Sequence, residues 1–398
     1  MNDEAIQSKT PQQYRAGAAI FFFISGFGYS TWASRIPTIK QELHLNNAQL
    51  GTALFALPVG LMLTMPLTSR LLSRYSSRAV MLLGSVLLSV ILIAIGFTNT
   101  MWQLILMLLC FGSARNLLTL SINTQGVAVQ ALYKKSIMAA FHGIWSLAGF
   151  AGAAVGLLMV YFNIAPAYHF VFVSIALTLC TFYFIKDTLY QKPIKTGLKP
   201  VFSLPDKYLL KFSLICFACM ACENTMYDWS ALYFQKEVNP DKTVATAAFV
   251  IYLTAMTTGR FFGDKLVTRA GIKTVLKFSG LFILCGLLLA VLLPYTITAA
   301  CGFILVGLGV SCVVPMVFSL AGKSKNMSSS SALASISTVG YLGFVLVPPF
   351  VGYIAQTASL RLSFGIIALF GAVIVYLVSK LKDGEEQNAP VILADFEE

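Results

Sequence analysis

Arg70-Leu71-Leu72-Ser73-Arg74-Tyr75-Ser76-Ser77-Arg78 and Lys265-Leu266-Val267-Thr268-Arg269-Ala270-Gly271-Ile272-Lys273 decide how this sequence is read. Each is a short basic break between two long apolar runs. The second repeats the first at a shift of about 195 residues, with Arg70, Leu71, Arg74 and Arg78 falling on Lys265, Leu266, Arg269 and Lys273. With a two-residue adjustment, Trp32 falls on Trp229. One architecture is therefore expected twice in the chain.

Working outward from these breaks, the flanking runs are too apolar for water. Of the 398 residues 57% are hydrophobic and 11% charged, whereas a soluble domain carries about 25% charged residues. A span of about 20 apolar residues crosses roughly 30 Å of hydrocarbon, and such runs are read at 15–36, 48–69, 79–98, 101–124, 137–161, 166–185, 208–233, 244–263, 273–293, 297–320, 331–356 and 360–380. Lipid offers no partner for a free backbone amide, so each run must be helical; uninterrupted apolar runs do not suit barrel strands, which alternate. The expected fold class is all-α: a polytopic membrane protein of twelve transmembrane helices in two pseudo-symmetric six-helix bundles. Parallel repeats of this kind are related by an axis along the membrane normal and hold a solute site near the midplane at their interface.

The expected organisation is an N-terminal cytoplasmic segment 1–14, a bundle 15–185, a linker 186–207, a second bundle 208–381 and a cytoplasmic tail 382–398. The linker is marked by Pro193, Pro200, Pro205 and several lysines. The first fourteen residues are polar, and the following run continues to Trp32 without an A-x-A cleavage site, so no removable signal peptide is expected.

A net charge of +12 does not imply nucleic acid, because the basic residues are spread over many short breaks. With the N-terminus inside, Arg35, Lys40, Lys236, Lys242 and Arg361 fall outside and Arg115 falls within the membrane, leaving 22 of the 28 lysines and arginines on the cytoplasmic side. That asymmetry follows the positive-inside rule and puts both termini in the cytoplasm. The spacing of Cys216, Cys219 and Cys222 superficially matches an iron–sulfur ligand run, but they lie in a continuous apolar helix with no fourth partner in register. They are read as small buried hydrophobes, and no metal or other cofactor is expected. No nucleophile with a paired base and no phosphate-cradling glycine loop is found, so the chain is not read as an enzyme.

Several stretches then carry a family resemblance. Thr31-Trp32-Ala33-Ser34-Arg35-Ile36-Pro37, Glu223-Asn224-Thr225-Met226-Tyr227-Asp228-Trp229-Ser230, Asn123-Thr124-Gln125-Gly126, Phe141-His142-Gly143 and Gly340-Tyr341-Leu342-Gly343-Phe344 with Pro348-Pro349 resemble the major facilitator superfamily. Within it they are similar to the branch of the fucose:proton symporter and the YbjJ-type bacterial inner-membrane proteins. The resemblance implies a transporter of the bacterial cytoplasmic membrane, working as a monomer on a small-molecule substrate, with protons as co-substrate. The superfamily's G-x-x-x-D-R-x-G-R-R signature is degraded at residues 69–78, where Ser73 replaces its aspartate. In the family such groups latch the cytoplasmic side, which implies a gating role for Arg74, Arg260, Asp264 and Arg269; solvated positive-inside charges are the alternative. The fucose symporter's carboxylates in helices 1 and 4 have no counterpart here, so neither its coupling residues nor its sugar transfers.

An ionisable side chain at a span centre costs at least about 2.5 to 3.5 kcal/mol, so it normally faces a wet path or a partner. Arg115 lies about 21 Å from the outer end of the fourth span, at similar depth to Glu223 in the seventh; Asp228 follows a turn and a half later. The reading is that Glu223 or Asp228 takes up a proton while Arg115 engages a polar or anionic group of the solute, a permanent ion pair being the alternative. His142 is a proton or substrate contact, or a packing group. Asn123 and Gln125 hydrogen-bond a hydroxylated solute or tie helices together. Tyr29, Trp32, Tyr227 and Trp229 offer faces for a sugar ring, or pack. Gly149, Gly152, Gly156, Gly307 and Gly309 allow close helix contact, and Pro315, Pro348 and Pro349 should kink the tenth and eleventh helices. The functions weighed are secondary transport of a small hydrophilic organic solute such as a sugar or sugar acid, efflux of drugs or metabolites, and a non-transporting receptor on the same fold.

Overall fold

A computed structural model describes residues 9–133, 137–191, 205–321 and 329–381. Most of the expected linker, the first eight residues and the tail from 382 lie outside the described residues. The described chain is helical without strands: α1 (Pro11–Ala33), α2 (Ile36–Glu42), α3 (Asn47–Arg74), α4 (Ser77–Gly96), α5 (Met101–Gln130), α6 (Met138–Tyr161), α7 (Pro166–Phe184), α8 (Lys207–Tyr233), α9 (Lys242–Ala270), α10 (Ile272–Leu292), α11 (Thr296–Val310), α12 (Val313–Ala321), α13 (Ser329–Thr357) and α14 (Leu360–Ser379). Twelve stretches among them are long and apolar enough to cross a membrane. Trp102 and Ile297 are 75% and 77% exposed on the protein, a cost in water that lipid removes.

The helix starts are written locally. Thr10 accepts from the Gln13 amide while the Gln13 side chain returns to the Thr10 backbone, a complete capping box. Ser76, Thr100, Asp206, Asp241 and Ser359 cap α4, α5, α8, α9 and α14 through their side chains. Two basic breaks are more helical than charge suggested. α3 runs to Arg74 and α9 to Ala270, where Gly271 turns the chain at φ 79°. Arginine and lysine are good helix formers whose stems lie along apolar surface, so a charged stretch need not end a helix.

Pro315 shows a different departure. Its missing amide cannot bond the carbonyl of Ser311, four residues back, and the tenth span is divided there into α11 and α12. Pro348 and Pro349 sit inside a continuous α13, and Pro58 and Pro66 inside α3.

The described residues form two compact units, unit 1 drawn from residues 1–45 and 56–199 and unit 2 from residues 46–55 and 200–395. Each pairs its first span with its fifth and its third with its fourth and sixth. The repeat is visible at atomic scale. A Cβ on Gly112 would lie 1.9 Å from the Leu57 carbonyl oxygen, and one on Gly307 would lie 2.6 Å from that of Tyr252. Both residues of the second pair stand 195 positions after those of the first, so glycine permits the same backbone approach of second and fourth span in each unit. The opening turns of α3 cluster with unit 2. There Asn47 donates from Nδ2 to the Ala355 carbonyl at 3.0 Å and accepts from Lys236 Nζ at 3.2 Å.

Candidate functional site

In unit 2 the charged groups meet on α8 and α9. Glu223, midway along α8, is 8% exposed, and its Oε1 lies 3.4 Å from Arg260 Nη2 on α9. Arg260 Nε also donates to the Ser311 carbonyl at 3.3 Å, the acceptor that Pro315 leaves without its helical partner. Cys312 Sγ, donating to the Gly259 carbonyl at 3.3 Å, ties α9 to the same break. One proline thus creates the acceptor that orients the arginine. The separation of 3.4 Å is longer than the roughly 2.7–2.9 Å of the strongest contacts of this type. The sequence reading gave Arg260 a gating role on the cytoplasmic side; it lies within the span Lys242–Gly263, where a guanidinium needs a counter-charge.

Beside this pair, Asn224 Nδ2 donates to Asp228 Oδ2 at 3.1 Å, one turn along α8. Tyr227 is buried, with its ring edge-on to Phe249 and Tyr252 of α9 at 5.5 and 6.1 Å. Trp229 is fully buried, and its Nε1 has no hydrogen-bond partner among the described residues.

Unit 1 places its candidates differently. The Arg115 guanidinium lies 3.5 Å from the centroid of the Tyr29 ring, a close cation–π contact between α5 and α1. The Asn123 carbonyl oxygen is buried without a hydrogen-bond partner among the described residues. Gln125 is a correction to the solute reading: its Nε2 donates to Ser77 Oγ at 2.8 Å and to the Leu189 carbonyl at 2.7 Å, and its Oε1 accepts from the Leu189 amide at 3.2 Å. With both ends of its buried amide used, Gln125 ties α5 to α4 and to the chain after α7. Trp32 is fully buried, its Nε1 likewise without a partner among the described residues. His142 is exposed near the start of α6, edge-on to Phe22 at 5.6 Å.

Arg74 and Arg269 are exposed at the ends of α3 and α9, the Asp264 side chain lies outside the described residues, and Arg260 is engaged with Glu223. Cys216, Cys219 and Cys222 are buried and point to separate partners, Met220 Sδ, the Val310 carbonyl and the Ile367 carbonyl. Sequence reasoning missed the Glu223–Arg260 pair. Its signal was Pro315, one turn after Ser311.

Comparison with known proteins agrees with this architecture. The family model of the Major Facilitator Superfamily matches residues 18–330. An MFS-type transporter of Yersinia pestis is 32% identical over 369 residues, 93% of this chain and 95% of its own length. Membrane protein MosC of Rhizobium meliloti is 27% identical over 377 residues, 94% of this chain and 91% of its own. Among solved structures, the nucleoside transporter NupG superposes with a TM-score of 0.73 at 14% identity, covering 93% of this chain and all of its own. A bacterial homologue of the human lysosomal transporter Spinster, inward-facing and occupied, gives 0.71 at 13% identity, covering 95% and 99%. With twelve spans, a repeat at 195 residues and a family match over most of its length, the chain belongs to the major facilitator superfamily and is a multi-pass membrane transporter of that family.

Proposed function

We propose that this transporter is a secondary carrier that moves a small hydrophilic organic solute, of sugar or sugar-acid type, across the bacterial cytoplasmic membrane by proton-coupled alternating access, with both termini cytoplasmic. The observation that supports this most is the Glu223–Arg260 contact: a carboxylate and a guanidinium, both within spans, held at 3.4 Å. A proton arriving on Glu223 cancels its charge and frees Arg260 Nη2, while Nε stays on the Ser311 carbonyl and keeps the guanidinium in place. The released donors suit the carboxylate or hydroxyls of a solute, since a guanidinium matches planar oxygen pairs. Asn224 and Asp228, one turn further along α8, add a donor and an acceptor for hydroxyl groups. In this scheme proton and solute bind together, because each removes what the other would leave unpaired.

The test begins with a thermal-shift panel of sugars, sugar acids, amino acids and nucleosides on purified protein. Liposome uptake of any solute that stabilises it follows, under an imposed proton gradient. The expected result is accumulation by the wild type, and solute exchange without accumulation by Glu223→Gln. Undiminished proton-driven accumulation by that variant would remove Glu223 from the mechanism.

A further inference from the structure

Unit 1 contains a charge the transport scheme does not use. Arg35, between α1 and α2, is 2% exposed. Its Nη2 donates to the Ile164 carbonyl at 2.6 Å, whereas its Nε and Nη1 have no hydrogen-bond partner among the described residues. His169, in the first turn of α7, is fully buried, and neither ring nitrogen has a partner among the described residues. The Arg35 guanidinium holds the carbonyl of Ile164, five residues before His169, and its charge acts on the His169 ring. A Cβ on Gly156 would lie 2.0 Å from Oγ of Ser34, the neighbour of Arg35, and 3.7 Å from His169 Cε1.

The electrostatics of this place are one-sided. The acids among the described residues of unit 1 are Glu42 and Asp187. Asp187 is paired with Lys9. Glu42 is exposed and reaches Arg35 only through its field, while burial outweighs that field and lowers the Arg35 pKa to about 10. The guanidinium is therefore charged at neutral pH. The start of α7 adds to the same sign: Ala165 supplies no side-chain cap, so the first free amides of α7 and its positive dipole end lie beside Ile164, which Arg35 holds. A buried cation next to a helix N-terminus is costly unless an anion or hydrogen bonds compensate it. A neutral imidazole brings one N–H and one lone pair, and no charge.

We infer that this site binds one small inorganic anion of chloride size, held by one of the two unpartnered donors of Arg35, Nε or Nη1, by an imidazole N–H of His169 and by the field of the α7 N-terminus. A lipid phosphate is too large to reach a guanidinium so enclosed. Water would satisfy the donors but leave the charge.

The test uses the purified full chain in detergent, with the unfolding midpoint followed while chloride replaces gluconate at constant ionic strength. The expected result is a saturable rise with chloride, reproduced by bromide. Arg35→Gln should abolish the rise, His169→Gln should raise the half-saturating chloride concentration, and Arg115→Gln should leave the response intact. Identical wild-type midpoints in chloride and gluconate would overturn the proposal whether or not Arg35→Gln folds. A full chloride response in a folded Arg35→Gln variant would overturn it equally.

Discussion

Arg260 in unit 2 and Arg115 in unit 1 are both guanidiniums within spans, and the protein sets them against different partners. Arg260 faces a carboxylate at 3.4 Å; Arg115 faces the ring of Tyr29, centred 3.5 Å away. The difference follows from composition, since the first 200 residues contain only Asp3, Glu4, Glu42 and Asp187 as acids. Two units of the same topology thus hold different chemistry. Unit 1 sets its cation against an uncharged ring, and unit 2 against a carboxylate whose charge a proton can cancel. The proposed coupling accordingly depends on unit 2, with unit 1 supplying a constant charge.

The largest expected effect breaks this contrast at its charged pair. Glu223→Gln or Arg260→Gln alone should lower unfolding stability by about 3 kcal/mol, the low end for a buried pair because both side chains retain some exposure. The double variant should recover most of that loss, since neither charge is then stranded. Thermal unfolding of the four proteins in detergent checks this; additive losses would mean the groups do not interact. A smaller effect is expected at the repeated helix contacts. Gly112→Ala and Gly307→Ala should each cost about 1–3 kcal/mol by forcing apart backbones now in contact, and similar losses in the two units would establish the shared packing. At the small end, Gln125→Ala should cost about 1–2 kcal/mol by stranding its buried partners, with the solute concentration for half-maximal uptake unchanged. A large rise in that concentration would return Gln125 to the solute site.

Much of the fold was legible because a bilayer reduces the problem to apolar length, and the twelve runs located every span. Their ends were less legible. Arg70, Arg74 and Lys265 look like loop residues by charge, yet they lie on α3 and α9. The identity of Glu223 as a buried acid was readable from its position, whereas its partner depended on a helix break one turn before Pro315. Gln125 and Asn123, two residues apart, could not be told apart in sequence; packing gives one a complete set of hydrogen bonds and leaves the carbonyl of the other without a partner among the described residues. Arg35 and His169 were invisible as a pair, because 134 positions separate them and only tertiary structure encloses both.

In the proposed mechanism Glu223 is the proton acceptor linked to solute binding. The direct measurement is proton exchange on adding a solute from the panel to purified protein in weakly buffered solution, followed with a pH-indicator dye. The wild type should take up protons with a saturable dependence on solute, and Glu223→Gln should bind the same solute without a proton signal. Equal proton uptake by both proteins would contradict the account.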